Sequence, residues 1–243
     1  MSYRILVDLS HNEQVEEFPD ISIGEEELEV EYLDKNEGPI DFDKLEDFDI
    51  LFLGNIQHTP DGKDDKFTPD ELRAIKKFVG EGGGLLVTSG AGGDRDIPMK
   101  QGSLRVLYKI TGVRRFWNGV ILEAKDSFLV NRENLRVTEI FNHPITKGVT
   151  ELIFSNCTFF SITEEEIDDI IVTSEKAEFK YFVDNSVGPI GTVPICVASE
   201  FYNGRCVTLG SSDLFIEDSD YGLDAGDNLK FVERVIRWLA FEI

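Results

Sequence analysis

Cysteine, histidine and positive charge are all scarce in this chain, and each shortage removes a class of function. The three cysteines, Cys157, Cys196 and Cys206, are too few and too scattered for a disulfide framework, and no pair has the CxxC spacing of a metal site. A reducing compartment and core positions for all three are expected. Lys and Arg number 24 against 47 Asp and Glu, a formal net charge of -23. Such a surface repels polyphosphate, so the expected partners include no nucleic acid and no membrane surface, both of which demand clustered cations. The acid excess serves solubility, adaptation to a salty cytoplasm, or a basic protein partner. No stretch approaches the roughly 20 apolar residues of a membrane helix. The opening MSYRILVDLSHNE turns acidic at once and lacks a signal peptide's basic segment and apolar run. A cytoplasmic location is expected.

What is present is globular: 41% hydrophobic residues, with 18 Phe. Short apolar runs alternate with amphipathic stretches, the pattern of an α/β fold with a mainly parallel, flavodoxin-like or Rossmann-like sheet flanked by helices. Arg4 to Asp8, Asp49 to Leu53 and Gly84 to Thr88 are apolar without alternation, as strands covered on both faces are. Glu29 to Leu33 alternates and belongs near an edge. Thr68 as N-cap, Pro69 in the first turn and Glu71 completing a capping box predict a helix over 69–79, with Leu72, Ile75, Phe78 and Val79 as its apolar stripe. Gly82, Gly83 and Gly84 end it and lead into the next strand. A second helix is expected over 103–110, after a loop through Asp94, Pro98 and Lys100. Residues 118–199 read as a β-rich extension, with β-prone pieces at 120–124, 152–156, 169–173 and 179–183. The segments ICVASEF and RCVTLGS, separated by Tyr202, Asn203 and Gly204, form a hairpin with an Asn-Gly turn. A closing helix is capped by Asp227 and buries Leu229, Val232, Val235, Ile236 and Leu239, with Phe231 and Trp238 flanking. Without a repeat or linker, one domain over 1–243 is the simplest organisation.

Candidate chemistry gathers at the turn after strand 84–88, because ligands of open α/β sheets bind beyond the carboxyl ends of strands. Ser89 precedes Gly90, but Val87 stands where a GxSxG elbow has glycine. Gly90, Gly92 and Gly93 offer backbone for a phosphate, yet the spacing is not GxGxxG, no GK[ST] follows, and Asp94 and Asp96 oppose an anion. Only His11, His58 and His143 are available as bases, and none has a recognisable catalytic spacing from a carboxylate. His143, before Pro144, reads as a structural turn whose imidazole bonds backbone. The acidic loop from Asp213 through Glu217, Asp218, Asp220, Asp224 and Asp227 fails the EF-hand pattern and reads as solvated; no metal and no cofactor is expected.

The segments FTPDELRAIKKFVGEGGGLLVTSGAGGD, HPITKGV and LGSSDLFIEDSDYGLDAGDNLKFVERVIRWLA together resemble the class I glutamine amidotransferase-like domain found at the amino terminus of intraflagellar transport protein 52 and in its prokaryotic relatives, a set that includes trehalose-utilisation-type proteins. Catalytic members carry a Cys on the elbow and a downstream HxE motif. Here Ser89 and Gly90 occupy that turn and HxE is absent. The resemblance therefore implies a fold retained after catalysis was lost, and a role in assembly carried only in part without partner-binding extensions. Three functional readings follow. The first is a non-catalytic binding or scaffolding domain that meets a protein or small molecule over loops 8–13, 54–67 and 89–98, with Asp8, Asn12, Asn55, Gln57, Ser89, Gly90, Gly92 and Gly93 as contact residues. The second is a hydrolase or amidotransferase-like enzyme using Ser89 with His58 or Asp94, which requires Ser89, His58 and Asp8 to converge. The third is a sugar- or nucleotide-binding module in which Trp117 or a Phe lines a pocket with Asn12, Asn55 and Gln57. A homodimer fits any of them.

Overall fold

The three runs that are apolar without alternation lie side by side in the middle of a seven-stranded sheet. The structure, a computed structural model, describes residues 2–15, 17–24, 26–57, 66–93, 104–124, 131–162 and 167–243. Its strands are β1 (Tyr3–Leu9), β2 (Leu28–Asp34), β3 (Ile50–Gly54), β4 (Gly84–Thr88), β5 (Val113–Phe116), β6 (Gly119–Leu122), β7 (Asn134–Val137), β8 (Leu152–Ser155), β9 (Phe160–Ile162), β10 (Ile167–Val172), β11 (Glu178–Tyr181), β12 (Val187–Pro189), β13 (Pro194–Phe201) and β14 (Gly204–Leu209). Its α-helices are α1 (Phe42–Leu45), α2 (Pro69–Gly80), α3 (Tyr108–Thr111) and α4 (Asn228–Leu239).

The large sheet runs β10-β13-β14-β4-β3-β1-β2. β2, β1, β3, β4 and β14 are mutually parallel, and β13 is antiparallel to both neighbours. β2 takes the edge its alternation foretold, with Glu29 and Glu31 exposed. Residues 118–199 do supply the small sheets β12-β11-β6 and β7-β8, but β10 and β13 of the same region continue the main sheet.

Because side chains of a strand alternate between faces, the sheet divides the core in two. Ile5, Val7, Ile50, Phe52, Leu86 and Val207 face one cluster, which α4 and strands β6, β7, β8 and β11 cover. Leu6, Leu51, Leu53, Leu85, Val87 and Cys206 face the other, under α2 and α3. The expected flanking by helices is thus met in part: on the α4 face, β-structure completes the cover.

Details of three elements differ from expectation. Over 103–110 the structure has a 3-10 turn at Leu104–Leu107 followed by the short α3, while residue 103 lies outside the described residues. In α4, Phe231 and Trp238 are buried and Leu229 is 39% exposed, so the buried face is rotated toward the aromatics. Asp227 precedes α4 without capping it; its carboxylate accepts from the Thr150 N–H at 2.7 Å and the Thr150 hydroxyl at 2.9 Å instead. In the hairpin, Tyr202 and Asn203 form the turn and Tyr202 takes the positive φ of 53°, while Gly204 already pairs with Phe201. Gly204 is there for space: a Cβ on it would lie 1.9 Å from the Val79 carbonyl oxygen at the end of α2.

Candidate functional site

The chain leaves β1 to form β2 on one side and then returns to form β3 on the other, so the strand order reverses between β1 and β3. A crevice opens at the carboxyl ends of strands at such a switch point. The loop that follows β1 is folded there by charge. His11 is 5% exposed and places its Nδ1 2.7 Å from Asp8 Oδ2 and its Nε2 3.3 Å from Glu71 Oε1. Asp8 is fully buried, and its other oxygen accepts from the Ser10 hydroxyl at 2.6 Å and the Ser10 N–H at 3.1 Å. Glu71 is the capping-box residue of α2, bonded to the Thr68 N–H at 2.7 Å, and it also accepts from the Ile40 N–H. Glu13 accepts from the His11 N–H at 2.8 Å, and its fully buried side chain sets Oε1 3.9 Å from His11 Nδ1. The ring of Phe67 closes over His11 at 4.4 Å between centroids.

Burial would push the imidazolium of His11 down, but its hydrogen bonds to Asp8 and Glu71 outweigh that and carry its pKa up to about 10. Burial pushes Asp8 and Glu71 up; the hydrogen bond to His11, with those from Ser10 to Asp8 and from Thr68 to Glu71, reverses this, so Asp8 is lowered and Glu71 falls to about 2. Glu13 rises to about 9, through burial and the charge of Asp8 beside it. The cluster is a buried imidazolium between two carboxylates, with Glu13 kept protonated beside them by burial and by the charge of Asp8. Asp8, His11 and Glu13 also place ligand atoms within 4.8 Å of one another, the one such set among the described residues. A divalent cation would have to displace the protons of His11 and Glu13, and a ring whose two nitrogens both face carboxylates is better matched as a double donor. The sequence reading that no histidine has a recognisable catalytic spacing from a carboxylate overlooked His11. It missed the i,i+3 pair with Asp8 and the long-range partner Glu71, which the sequence marks only as a helix cap.

Beside this cluster, the amides expected at the site do come together, largely with one another. Asn12 donates its side-chain amide to the Gln57 carbonyl at 2.8 Å, Gln57 donates to Asn55 Oδ1 at 2.8 Å, and Asn55 donates to Ser212 Oγ at 3.3 Å. Asn12 and Asn55 both hold positive φ, which asparagine tolerates better than most residues. Ser89 is fully buried; its N–H bonds the Leu209 carbonyl, and its Oγ has no partner among the described residues. Asp8, committed to Ser10 and His11, does not serve it. The glycine loop is a packed turn: the Gly92 N–H bonds the Gly119 carbonyl, that of Gly93 bonds Gly90, and a Cβ on Gly93 would stand 2.3 Å from the Trp117 carbonyl oxygen. Two of the loop's N–H groups are thus already engaged with protein. His58 and Asp94 lie outside the described residues. Trp117 stacks on Phe159 and lies beneath Arg115, with its indole N–H bonded to Ser161, so it serves packing. His143 caps the turn Pro144–Thr146 as expected, accepting from the Ile145 N–H.

An open crevice of about 330 Å³ runs between the segment after β1 and the segment after β14, reached from the amide ladder through Ser212. Val15, Phe18, Phe215 and Ile216 make it apolar, and Glu17, Asp213 and Glu217 make it acidic. Sequence reasoning missed these residues. The stretch QVEEFP carried no motif, and the acids after Asp213 read as a solvated loop.

Among solved structures the chain has the fold of the mmIFT52 N-terminal domain, at TM-score 0.70 and 18% identity over 97% of this chain and 96% of that one. It is similar also to a putative ThuA-like protein from Bacteroides uniformis (TM-score 0.55, 17% identity, 98% of this chain and 91% of that one) and to the cytoplasmic protein STM3548 from Salmonella typhimurium (TM-score 0.51, 12% identity, 98% of both). No family model matches the chain, and no curated protein matches it in sequence. No helix among the described residues is long and apolar enough to cross a membrane.

Proposed function

We propose that this chain is one domain, an amidotransferase-like pseudoenzyme of the cytoplasm that binds a protein partner at the carboxyl edge of its sheet. The observation that carries this reading is the contrast at that edge. Ser89, where a catalytic relative has its nucleophile, is sealed beneath a packed glycine turn, while the neighbouring crevice is open and lined by both apolar and acidic side chains. The parallel order β2-β1-β3-β4-β14 reverses direction between β1 and β3, and ligands of open α/β sheets sit at such a switch point, which supports a site at this edge. Asp8, Asn12, Asn55, Gln57 and the turn Ser89 to Gly93 frame the site by fixing its loops. A basic side chain carried on an apolar segment complements the crevice. A second copy of the chain, presenting the same edge, would oppose Glu17, Asp213 and Glu217 with like charge, so a homodimer through this surface is disfavoured.

Photo-crosslinking in cells tests the reading. A crosslinking residue at Gln14 or Ile216 is expected to trap one discrete partner, and the same residue at exposed Tyr202 on the hairpin is not. Purified protein with esterase and amidase substrates is expected to show no turnover that Ser89→Ala removes; Ser89-dependent hydrolysis would overturn the proposal in favour of the enzyme.

A further inference from the structure

From Ile97 to Leu122 the chain contains no Asp or Glu and five basic residues, in a protein whose acids outnumber its bases nearly two to one. That local reversal has a structural counterpart on the α2 face, separate from the crevice described above. The 3-10 turn at Leu104–Leu107, α3 and β5 border an open cavity of about 450 Å³ lined by Arg105, Val106, Tyr108 and Arg114. Leu104, Leu107 and Ile110 anchor the segment in the core, so the intervening residues are turned outward. Val106 is 37% and Tyr108 39% exposed, which leaves an apolar and an aromatic surface in the same lining as the Arg114 guanidinium. Arg114 is exposed and makes no hydrogen bond or ion pair among the described residues. The neighbouring Arg115, by contrast, is held over the Trp117 ring at 4.0 Å.

We propose that this cavity is a binding site for a small organic oxyanion, a phosphate or carboxylate group carried on an aromatic or apolar body. The Arg114 guanidinium presents a planar fork of N–H donors that matches either oxyanion bidentately and stays charged at any physiological pH. A volume of this size falls within the range of small-ligand pockets. The net charge of the whole protein does not prevent binding, since at physiological ionic strength acids more than about 8 Å away are largely screened. The acid-free sequence keeps near charges of the wrong sign out of the segment itself.

Calorimetric titration of the full chain with phenyl phosphate, benzoate and inorganic phosphate tests the site. Saturable one-to-one binding of phenyl phosphate or benzoate is expected, the tighter of the two identifying the oxyanion, and inorganic phosphate is expected to bind more weakly for want of the organic body. Arg114→Glu should weaken binding by roughly tenfold or more, the loss of a charge-assisted hydrogen bond, and Arg114→Lys by less. Tyr108→Ala should weaken phenyl phosphate and leave inorganic phosphate unchanged. Lys147→Glu, which changes the net charge equally at an exposed site elsewhere, should leave all three probes unaffected. Absence of saturable binding, or equal losses in Arg114→Glu and Lys147→Glu, would overturn the proposal by reducing the site to general electrostatic attraction.

Discussion

His11 and Glu13 each hold a proton in the folded protein over a pH range in which the unfolded chain has released it. For His11 the pKa moves from 6.5 to about 10 and for Glu13 from 4.5 to about 9. Both folded values lie above the unfolded ones, so the stability linked to each group is complete below its unfolded pKa and disappears as pH rises through its folded pKa. Between about pH 6.5 and 9 the two windows overlap, and each fully retained proton steepens the fall by about 1.4 kcal/mol per pH unit, an upper limit for groups that titrate together. Glu71 behaves oppositely: its pKa is depressed from 4.5 to about 2, so its contribution is present above 4.5 and is lost on acidification toward 2. Urea unfolding at pH 7, 8 and 9 is expected to show wild-type stability declining with pH. Glu13→Gln, which cannot ionise, should flatten the decline and exceed the wild type at pH 9. Parallel declines in the two proteins would mean that Glu13 is ionised in the fold. Little of this cluster was legible beforehand. The capping box names Glu71 from local spacing alone, whereas its pairing with His11 depends on α2 starting beside the loop that follows β1, a relation no local pattern encodes.

At the scale of elements, the sequence spoke clearly wherever one local rule sufficed. The β3 and β4 runs, the edge position of β2 and the capped start of α2 follow from apolar content, alternation and N-cap chemistry, and each stands where expected. Where a position obeys two rules at once, the reading failed. Gly204 satisfied the hairpin rule for Asn-Gly, yet its real constraint comes from α2, whose last carbonyls pack onto the start of β14. Asp227 satisfied the N-cap rule, yet its carboxylate is held by Thr150 and by the Glu151 N–H. The two kinds of glycine can be told apart by substitution. Gly204→Ala puts a methyl group into backbone atoms of Val79 and Gly83 and is expected to cost about 1–3 kcal/mol, the usual range for overpacking. Gly188→Ala, with nothing within 4 Å of the new carbon, should change stability by less than about 0.5 kcal/mol. Chemical denaturation of both variants checks the pair, and a Gly204→Ala protein as stable as the wild type would show that α2 and β14 can separate at no cost.

Over the whole molecule, charge acts in two ways that salt separates. The surface carries a formal net charge of -23, and its ion pairs, such as Arg132 with Glu178 and Arg136 with Glu151, are exposed enough to contribute little each. General repulsion should therefore outweigh local attraction at low ionic strength. Raising salt from about 0.01 M to about 0.15 M shortens the screening length from roughly 30 Å to roughly 8 Å, which removes distant repulsions before close attractions. The thermal midpoint at pH 7 is expected to rise over that range in sodium chloride, and a fall would mean that the surface pairs form a stabilising network. Asp8, His11 and Glu71 are shielded from the added ions by burial. Removing the imidazole alone leaves two buried carboxylates unpaired, a strongly destabilising change of about 3–5 kcal/mol. His11→Gln should accordingly lower the midpoint by a similar amount at both salt concentrations, in contrast to the salt-dependent shift of the molecule as a whole. A His11→Gln penalty that shrinks with salt would place the cluster in contact with solvent and reopen it as a site for an ion or a substrate.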